Sequence, residues 1–199
     1  MSEPELLTKR AYRMTSRADA TARTRERLLH AAIDLYTTRP YSGVTLSDLA
    51  QQAGVSNPTL LRHFPSKDHL VQAAAESARD HVVGQRQTAS TDLIQAIDTL
   101  LDHYEVWGDR VLHLLKQEDQ VPALRTITDS GRAVHRDWID RTFAPILPVD
   151  EPTRARRTAQ LTAVCDVQVW KLLRRDLGLT RGQTALALHE FISVLIPPS

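Results

Sequence analysis

The sequence predicts an all-α protein, and two features of its composition and one of its patterning favour that fold class. Leu and Ala, both strong helix formers, occur 26 and 22 times in 199 residues. Glycine and proline, which interrupt helices, occur only seven and ten times. Apolar residues recur along much of the chain at the spacing of an amphipathic helix.

The same sequence excludes several classes of protein. No apolar run approaches the ~18 residues of a membrane span, and the N-terminus lacks the apolar stretch of a signal peptide. The single cysteine cannot form an internal disulfide, which fits a reducing compartment. Because no nucleophile elbow, phosphate loop or metal-ligand spacing is present, we expect no enzyme, metal or cofactor. The sequence therefore predicts a cytoplasmic protein with no membrane partner.

Charge is unevenly distributed along the chain, although the net charge is only +1. Residues 1–75 carry ten Lys and Arg against seven Asp and Glu, whereas residues 76–199 carry fifteen against seventeen. Seven of the basic residues lie between positions 9 and 27. Such a segment suits a polyanion, because cations at phosphates release counterions; a solvated, frayed terminus is the alternative. We expect residues 1–21 to form a flexible basic arm.

The first predicted domain, residues 22–82, contains helices that follow one another closely. An apolar stripe that begins at Leu28 marks the first helix. Thr45 can cap the second helix, with Asp48 completing a capping box. Gly54 lies where the end of a helix needs a left-handed residue. These signals place the second helix between Thr45 and Gly54.

A short third helix over 57–64 is predicted after this glycine. Ser56 is its N-cap candidate, and Pro58 falls in its first turn, where the missing N–H does no harm. A fourth helix is predicted over about 66–83. Two short helices joined around a glycine form a helix-turn-helix at 45–64, which is typical of DNA binding, although an ordinary helical hairpin gives the same pattern.

The polar residues around this third helix are candidates for DNA contact. Its outward side chains that can donate hydrogen bonds are Asn57, Thr59, Arg62 and His63. Lys67 stands in the first turn of the fourth helix, where the helix dipole disfavours a cation. A bound phosphate would account for this lysine, whereas compensation by Asp68 would account for it without a ligand.

Residues 45–70 resemble the DNA-binding signature of the TetR family of transcriptional regulators. The resemblance lies mainly in AGVS at 53–56, TL at 59–60 and RHFPSK at 62–67. A weaker resemblance lies in VWKLLRRDLGL at 169–179.

The resemblance implies that the third helix enters the major groove of double-stranded DNA. The residues expected to bind DNA are Arg23, Thr45, Ser56, Asn57, Pro58, Thr59, Arg62, His63 and Lys67. Leu61 departs from the family, which usually has at this position a Tyr that touches phosphate. Pro58 also departs from it, since a glycine or a small polar residue is common there.

Residues 83–199 are predicted to form a helical domain for ligand binding and dimerisation. Helical segments are predicted to begin at Leu93 and again at Asp109, with later helices over about 121–144, from Pro152 to Leu177, and from Thr180 to near Pro197. The last two carry apolar residues on more than one face, so we expect a two-fold homodimer to bury the second face. The expected interface residues are Leu161, Val164, Leu172, Leu186, Phe191 and Leu195.

The middle helices hold the candidate pocket for a small apolar or aromatic effector. Aromatic side chains between helices either line such a pocket or simply pack in the core, and the sequence leaves both alternatives open. The expected pocket residues are Tyr104, Trp107, Leu115, Trp138, Phe143, Cys165 and Gln168.

These observations predict a sequence-specific DNA-binding transcriptional regulator. The resemblance implies a repressor that leaves a palindromic operator when an effector favours a different dimer geometry. Two other hypotheses compete with it: an enzyme built on helices, which no motif supports, and a DNA-binding protein without a ligand. The latter requires a solid core around Trp107 and Trp138.

Overall fold

The computed structural model describes residues 3–85 and 92–195, and every regular element within these ranges is helical. The α-helices of these ranges are α1 (Glu3–Thr38), α2 (Leu46–Gln52), α3 (Asn57–His63), α4 (Lys67–Gln85), α5 (Leu93–Leu115), α6 (Pro122–Phe143), α7 (Glu151–Val164), α8 (Val167–Lys171) and α9 (Arg181–Leu195). The predicted all-α fold is confirmed. None of these helices combines the length and the hydrophobicity that crossing a lipid bilayer requires.

The chain divides into two compact units, Met1–Ser77 and Ala78–Ser199. The division falls within α4, whereas the sequence predicts a domain boundary after residue 82. In the first unit each of the first four helices contributes a fully buried leucine to one core: Leu28, Leu49, Leu60 and Leu70. A 3-10 turn at Tyr41–Gly43 separates α1 from α2.

Helix α1 begins at Glu3 and therefore takes in most of the segment that the sequence assigns to an arm over residues 1–21. The side chains of four basic residues of this segment lie outside the described residues: Lys9, Arg10, Arg13 and Arg17. The side chains described from residue 18 onward include Arg23, which is exposed on α1.

The second unit is organised around α5, which packs against α6, α8 and α9. The prediction that a new helix begins at Asp109 is wrong, because α5 runs without a break from Leu93 to Leu115. Gly108 is held inside this helix by the indole of Trp170, which lies directly against its backbone. Although glycine often ends a helix, Gly108 lies inside a continuous helix, where the Trp170 indole leaves no room for a side chain.

The predicted helix from Pro152 to Leu177 is also wrong, because it is interrupted after α7. The Asp166 carboxylate accepts a hydrogen bond from the Gln168 backbone N at 2.8 Å and so caps a new helix, α8. At the break, the Cys165 carbonyl accepts a hydrogen bond from the Tyr104 hydroxyl at 2.8 Å. A π-helical turn over Leu172–Asp176 follows α8.

The last helix begins as the sequence predicts. The Thr180 backbone N donates to Gln183 Oε1 at 2.9 Å, and the Gln183 backbone N donates to Thr180 Oγ1 at 3.2 Å. This reciprocal cap satisfies two amide groups at the start of α9. The predicted end of the helix near Pro197 lies outside the described residues, which reach Leu195 in α9.

Candidate nucleic-acid interface

The start of α2 is fixed by a capping box between Thr45 and Asp48. Thr45 Oγ1 accepts a hydrogen bond from the Asp48 backbone N at 3.1 Å, and Asp48 Oδ2 accepts one from the Thr45 backbone N at 2.8 Å. The hydrogen bonds from Thr45 lower the pKa of the Asp48 carboxyl group. The predicted cap is confirmed, and the phosphate contact expected of Thr45 stays a prediction.

The turn between α2 and α3 depends on Gly54, whose φ of 65° is left-handed as the sequence predicts. The Val55 backbone N donates to the Ala50 carbonyl at 2.9 Å and closes the turn. The Ser56 hydroxyl then caps α3 by accepting a hydrogen bond from the Thr59 backbone N at 3.4 Å. This local chemistry sets the direction in which α3 leaves α2.

Helix α3 buries one face and exposes the other. Leu60 is fully buried, and the Thr59 hydroxyl lies 3.0 Å from that of Ser56, so both hydroxyls belong to the cap. The exposed face carries Asn57, Pro58, Leu61 and Arg62. Sequence reasoning missed Leu61 as a surface residue; its side chain is 44% exposed. Its spacing of four residues from Asn57, which places both on one side of the helix, was the available signal.

Lys67 lies in a different environment from the phosphate-binding one that the sequence predicts. Its Nζ donates to the backbone carbonyls of Tyr41 at 2.6 Å and Val44 at 2.7 Å, and it lies 3.9 Å from the centroid of the Tyr41 ring. Burial lowers the pKa of its ammonium group. The observed contacts of Lys67 tie the loop before α2 to the start of α4 and give this lysine partners without a phosphate; a contact between Lys67 and DNA is left to experiment.

Two tyrosines complete this junction. The Tyr41 hydroxyl donates to Asp68 Oδ1 at 2.5 Å, and the Tyr36 and Tyr41 rings stack with centroids 5.3 Å apart. Burial, followed by the hydrogen bond to Asp68, raises the pKa of Tyr41. Asp68 therefore holds the loop that contains Tyr41. Neither the helix-dipole argument nor the bound-phosphate argument for Lys67 identified these contacts.

His63 lies half-buried at the last turn of α3. Partial burial lowers the pKa of its imidazole, and the nearby cations of Arg62 and Arg25 lower it further. The ring is therefore mostly neutral at pH 7 and can donate one hydrogen bond without a charge.

In the second unit most of the predicted pocket residues pack in the core. Those that are almost fully buried are Tyr104, Trp138, Phe143 and Cys165, and Leu115 packs against them. Trp107 is half-buried under the Arg110 guanidinium, whose Cζ lies 5.1 Å from the centroid of the ring. Gln168 is exposed at the start of α8, so its predicted place in a buried pocket is wrong.

A surface groove with a volume of about 810 Å³ lies along α6, α7 and α8. Arg136, Arg154 and Gln168 supply polar groups to its lining, and Ala159 and Val169 supply apolar ones. Gln168 thus borders an open groove rather than the aromatic cluster.

The predicted interface residues fall into three groups: buried, half-buried and exposed. Leu161 is only 1% exposed inside its own subunit, so its assignment to a dimer interface is wrong. Val164 and Leu195 are half-buried, and Leu172, Leu186 and Phe191 are exposed. Val194, which sequence reasoning did not assign to the interface, is 80% exposed on α9.

Comparison with known proteins agrees with this geometry. Residues 28–74 match the family described as bacterial regulatory proteins, tetR family. The HTH-type transcriptional activator FasR of Mycolicibacterium smegmatis is 26% identical over 172 residues, which are 86% of this chain and 68% of FasR. The HTH-type transcriptional repressor KstR2 of the same organism is 23% identical over 147 residues, covering 65% of this chain and 72% of KstR2.

Solved structures share the fold. A transcriptional regulator from Rhodococcus sp. Rha1 superimposes with a TM-score of 0.67 at 19% identity, covering 86% of this chain and 95% of that one. A regulator from Saccharomonospora viridis, solved in complex with choline, gives a TM-score of 0.62 at 21% identity, with coverages of 88% and 98%.

A capped helix, a glycine turn and a short helix with an exposed polar face define a helix-turn-helix DNA-binding regulator. The match of residues 28–74 to the tetR family and the similarity to FasR narrow this class of DNA-binding protein. The chain carries the DNA-binding domain of the TetR family at residues 28–74, and the relatives that it matches are HTH-type transcriptional regulators rather than enzymes.

Proposed function

We propose that this regulator is a repressor that binds a palindromic operator as a homodimer and is released by a small-molecule effector. The observation that carries DNA recognition is the exposed face of α3, where Asn57 lies in the first turn and Arg62 in the last. Asn and Arg are the side chains that form bidentate hydrogen bonds with adenine and guanine. Because its target is chromosomal DNA, we place the protein in the cytoplasm.

Selection from random DNA tests this recognition. The wild-type chain is expected to enrich two inverted half-sites about one helical turn apart, and Asn57→Ala is expected to change the preferred base at one position of each half-site. Gln95→Ala, which removes an exposed amide from α5 in the second unit, is the matched control. Failure of the wild-type chain to enrich any motif, or an Asn57→Ala motif identical to the wild-type one, contradicts the proposal.

The homodimer is supported by exposed apolar side chains on the last helices. Leu186 is 59% exposed and Phe191 48% exposed on α9, and Leu172 is 49% exposed on the π-helical turn. Large apolar side chains that are exposed on two elements packed against each other favour an association site. A two-fold pair presents two α3 helices to two half-sites, which a single copy cannot do.

Phe191→Glu is expected to prevent this dimerisation, because it introduces a charge at the centre of an apolar contact. Sedimentation should detect a monomer, and affinity for the full operator should fall by about 100-fold, since the second half-site no longer benefits from tethering. Glu190→Gln, a change at the adjacent exposed residue, should leave both measurements unchanged. A Phe191→Glu variant that stays dimeric would exclude this surface as the interface.

Effector release is proposed from the family and from the open groove along α6, α7 and α8. All three tryptophans lie in the second unit, so intrinsic fluorescence reports directly on ligand binding there. Choline, the ligand of the Saccharomonospora viridis regulator, and a panel of small aromatic compounds are the probes. A hit should change the fluorescence and release operator DNA; fluorescence that no probe changes favours the regulator without a ligand, whose core around Trp138 stays closed.

A further inference from the structure

Arg25 lies on α1 beside the end of the recognition helix α3. Its guanidinium Cζ is 4.7 Å from the centroid of the Phe64 ring. Phe64 is only 3% exposed, and its backbone N donates to the Leu60 carbonyl at 2.8 Å, so the ring is fixed at the C-cap of α3. A cation from the first helix is therefore held against the end of the third.

The same end of α3 carries further positive charge. Arg62 is exposed there, and the cations of Arg62 and Arg25 both lower the pKa of His63, which shows that the three groups lie close together. Among the side chains that the structure describes, no carboxylate is paired with Arg25 or Arg62. By contrast, arginines of the second unit form ion pairs with carboxylates, as Arg174 does with Glu105 at 2.6 Å.

We propose that Arg25 is a phosphate-binding residue, held by Phe64 so that it contacts the DNA backbone beside the C-terminal end of α3. The contact with the ring leaves the N–H groups of the guanidinium able to donate to two oxygens of a phosphate. Because the group is already ordered, less conformational entropy is lost on binding. The proposal rests on the DNA-binding function and adds a contact that the helix-turn-helix itself does not supply.

The salt dependence of DNA affinity tests this role, because a phosphate contact contributes a fixed increment to the slope. Arg25→Met keeps an apolar stem over Phe64 and removes the charge. For the dimer, the slope of log affinity against log salt should become about two units less steep, about one for each subunit. The preferred DNA sequence should not change, because phosphates carry no sequence information directly.

Arg110→Met is the matched control, because Arg110 also lies over an aromatic ring, that of Trp107 in the second unit. It should leave the slope unchanged. Arg25→Lys should retain the slope and lose affinity several-fold, since lysine keeps the charge without the fork, and this variant tests the proposal even where Arg25→Met folds poorly.

An Arg25→Met variant that is folded and keeps the wild-type slope overturns the proposal, as does an Arg25→Lys variant whose slope drops by the full two units. Either result leaves DNA binding intact, because the wild-type chain binds in the same assay. Absence of salt-dependent binding by the wild-type chain would instead contradict the DNA-binding function on which the proposal rests.

Discussion

Gly108→Ala is expected to destabilise the second unit by about 3 kcal/mol, because overpacking of a closed core forces side chains or backbone to move. A Cβ at position 108 would lie 2.6 Å from Cη2 and 2.9 Å from Cε3 of Trp170, with Cζ3 closer still. The indole has no free path away. It is 1% exposed, its Nε1 donates to Glu105 Oε1 at 3.4 Å, and the Arg175 guanidinium lies 4.6 Å from its centroid.

Gly131→Ala is the matched control for this substitution. Gly131 also lies within a long helix, α6, but a Cβ there meets no atom within 4 Å. Without a steric clash, alanine should stabilise the helix by about 0.5–1 kcal/mol through its higher helix propensity. Urea unfolding followed by circular dichroism measures both changes. A Gly108→Ala variant as stable as Gly131→Ala would show that Trp170 leaves room for a Cβ at position 108.

The sequence could predict the parts of the fold that are set by residues close together in the chain. Gly54, Ser56 and the pair of Thr45 with Asp48 were predicted correctly, because each acts on partners within a few residues. Capping boxes and left-handed caps are local chemistry and leave a local pattern. The helices of the DNA-binding unit can therefore be predicted largely from the sequence.

Errors in the second unit arise from contacts between distant residues. The helix that continues through Gly108 depends on Trp170, which is 62 positions away, and the break after α7 is supported by a hydrogen bond from Tyr104. Periodicity detects an apolar face but not what covers it. Leu161 illustrates this limit. Its apolar spacing on α7 fits a dimer interface equally well, but its side chain is buried within its own subunit.

Lys67 is the clearest case in which a local argument missed partners within the chain. The helix dipole disfavours a cation at the start of α4, and a phosphate was inferred to offset that cost. The structure offsets it with the carbonyls of Tyr41 and Val44 and the ring of Tyr41, all more than 20 positions earlier. Lys67 therefore stabilises the first unit through partners within the chain.

Lys67→Met is accordingly expected to lower the free energy of unfolding by about 3 kcal/mol. The variant keeps the apolar stem but loses a cation–π contact and two hydrogen bonds from a charged donor, so two partly buried carbonyls lose their ammonium partner. Lys171→Met is the control for the same substitution, because Lys171 pairs with Asp176 at the surface at 2.6 Å. The loss of that exposed pair should cost about 1 kcal/mol or less.

DNA binding distinguishes the stabilising role of Lys67 from a phosphate contact. Below its unfolding temperature, Lys67→Met should bind operator with the wild-type salt slope, whereas Arg62→Met, which removes an exposed cation from α3, should flatten the slope by about one unit for each subunit. Stability and slope thus report on different residues of the same unit. A Lys67→Met variant of wild-type stability with a flattened slope would show instead that Lys67 contacts a DNA phosphate. Only a contact with DNA changes the slope without changing the unfolding free energy.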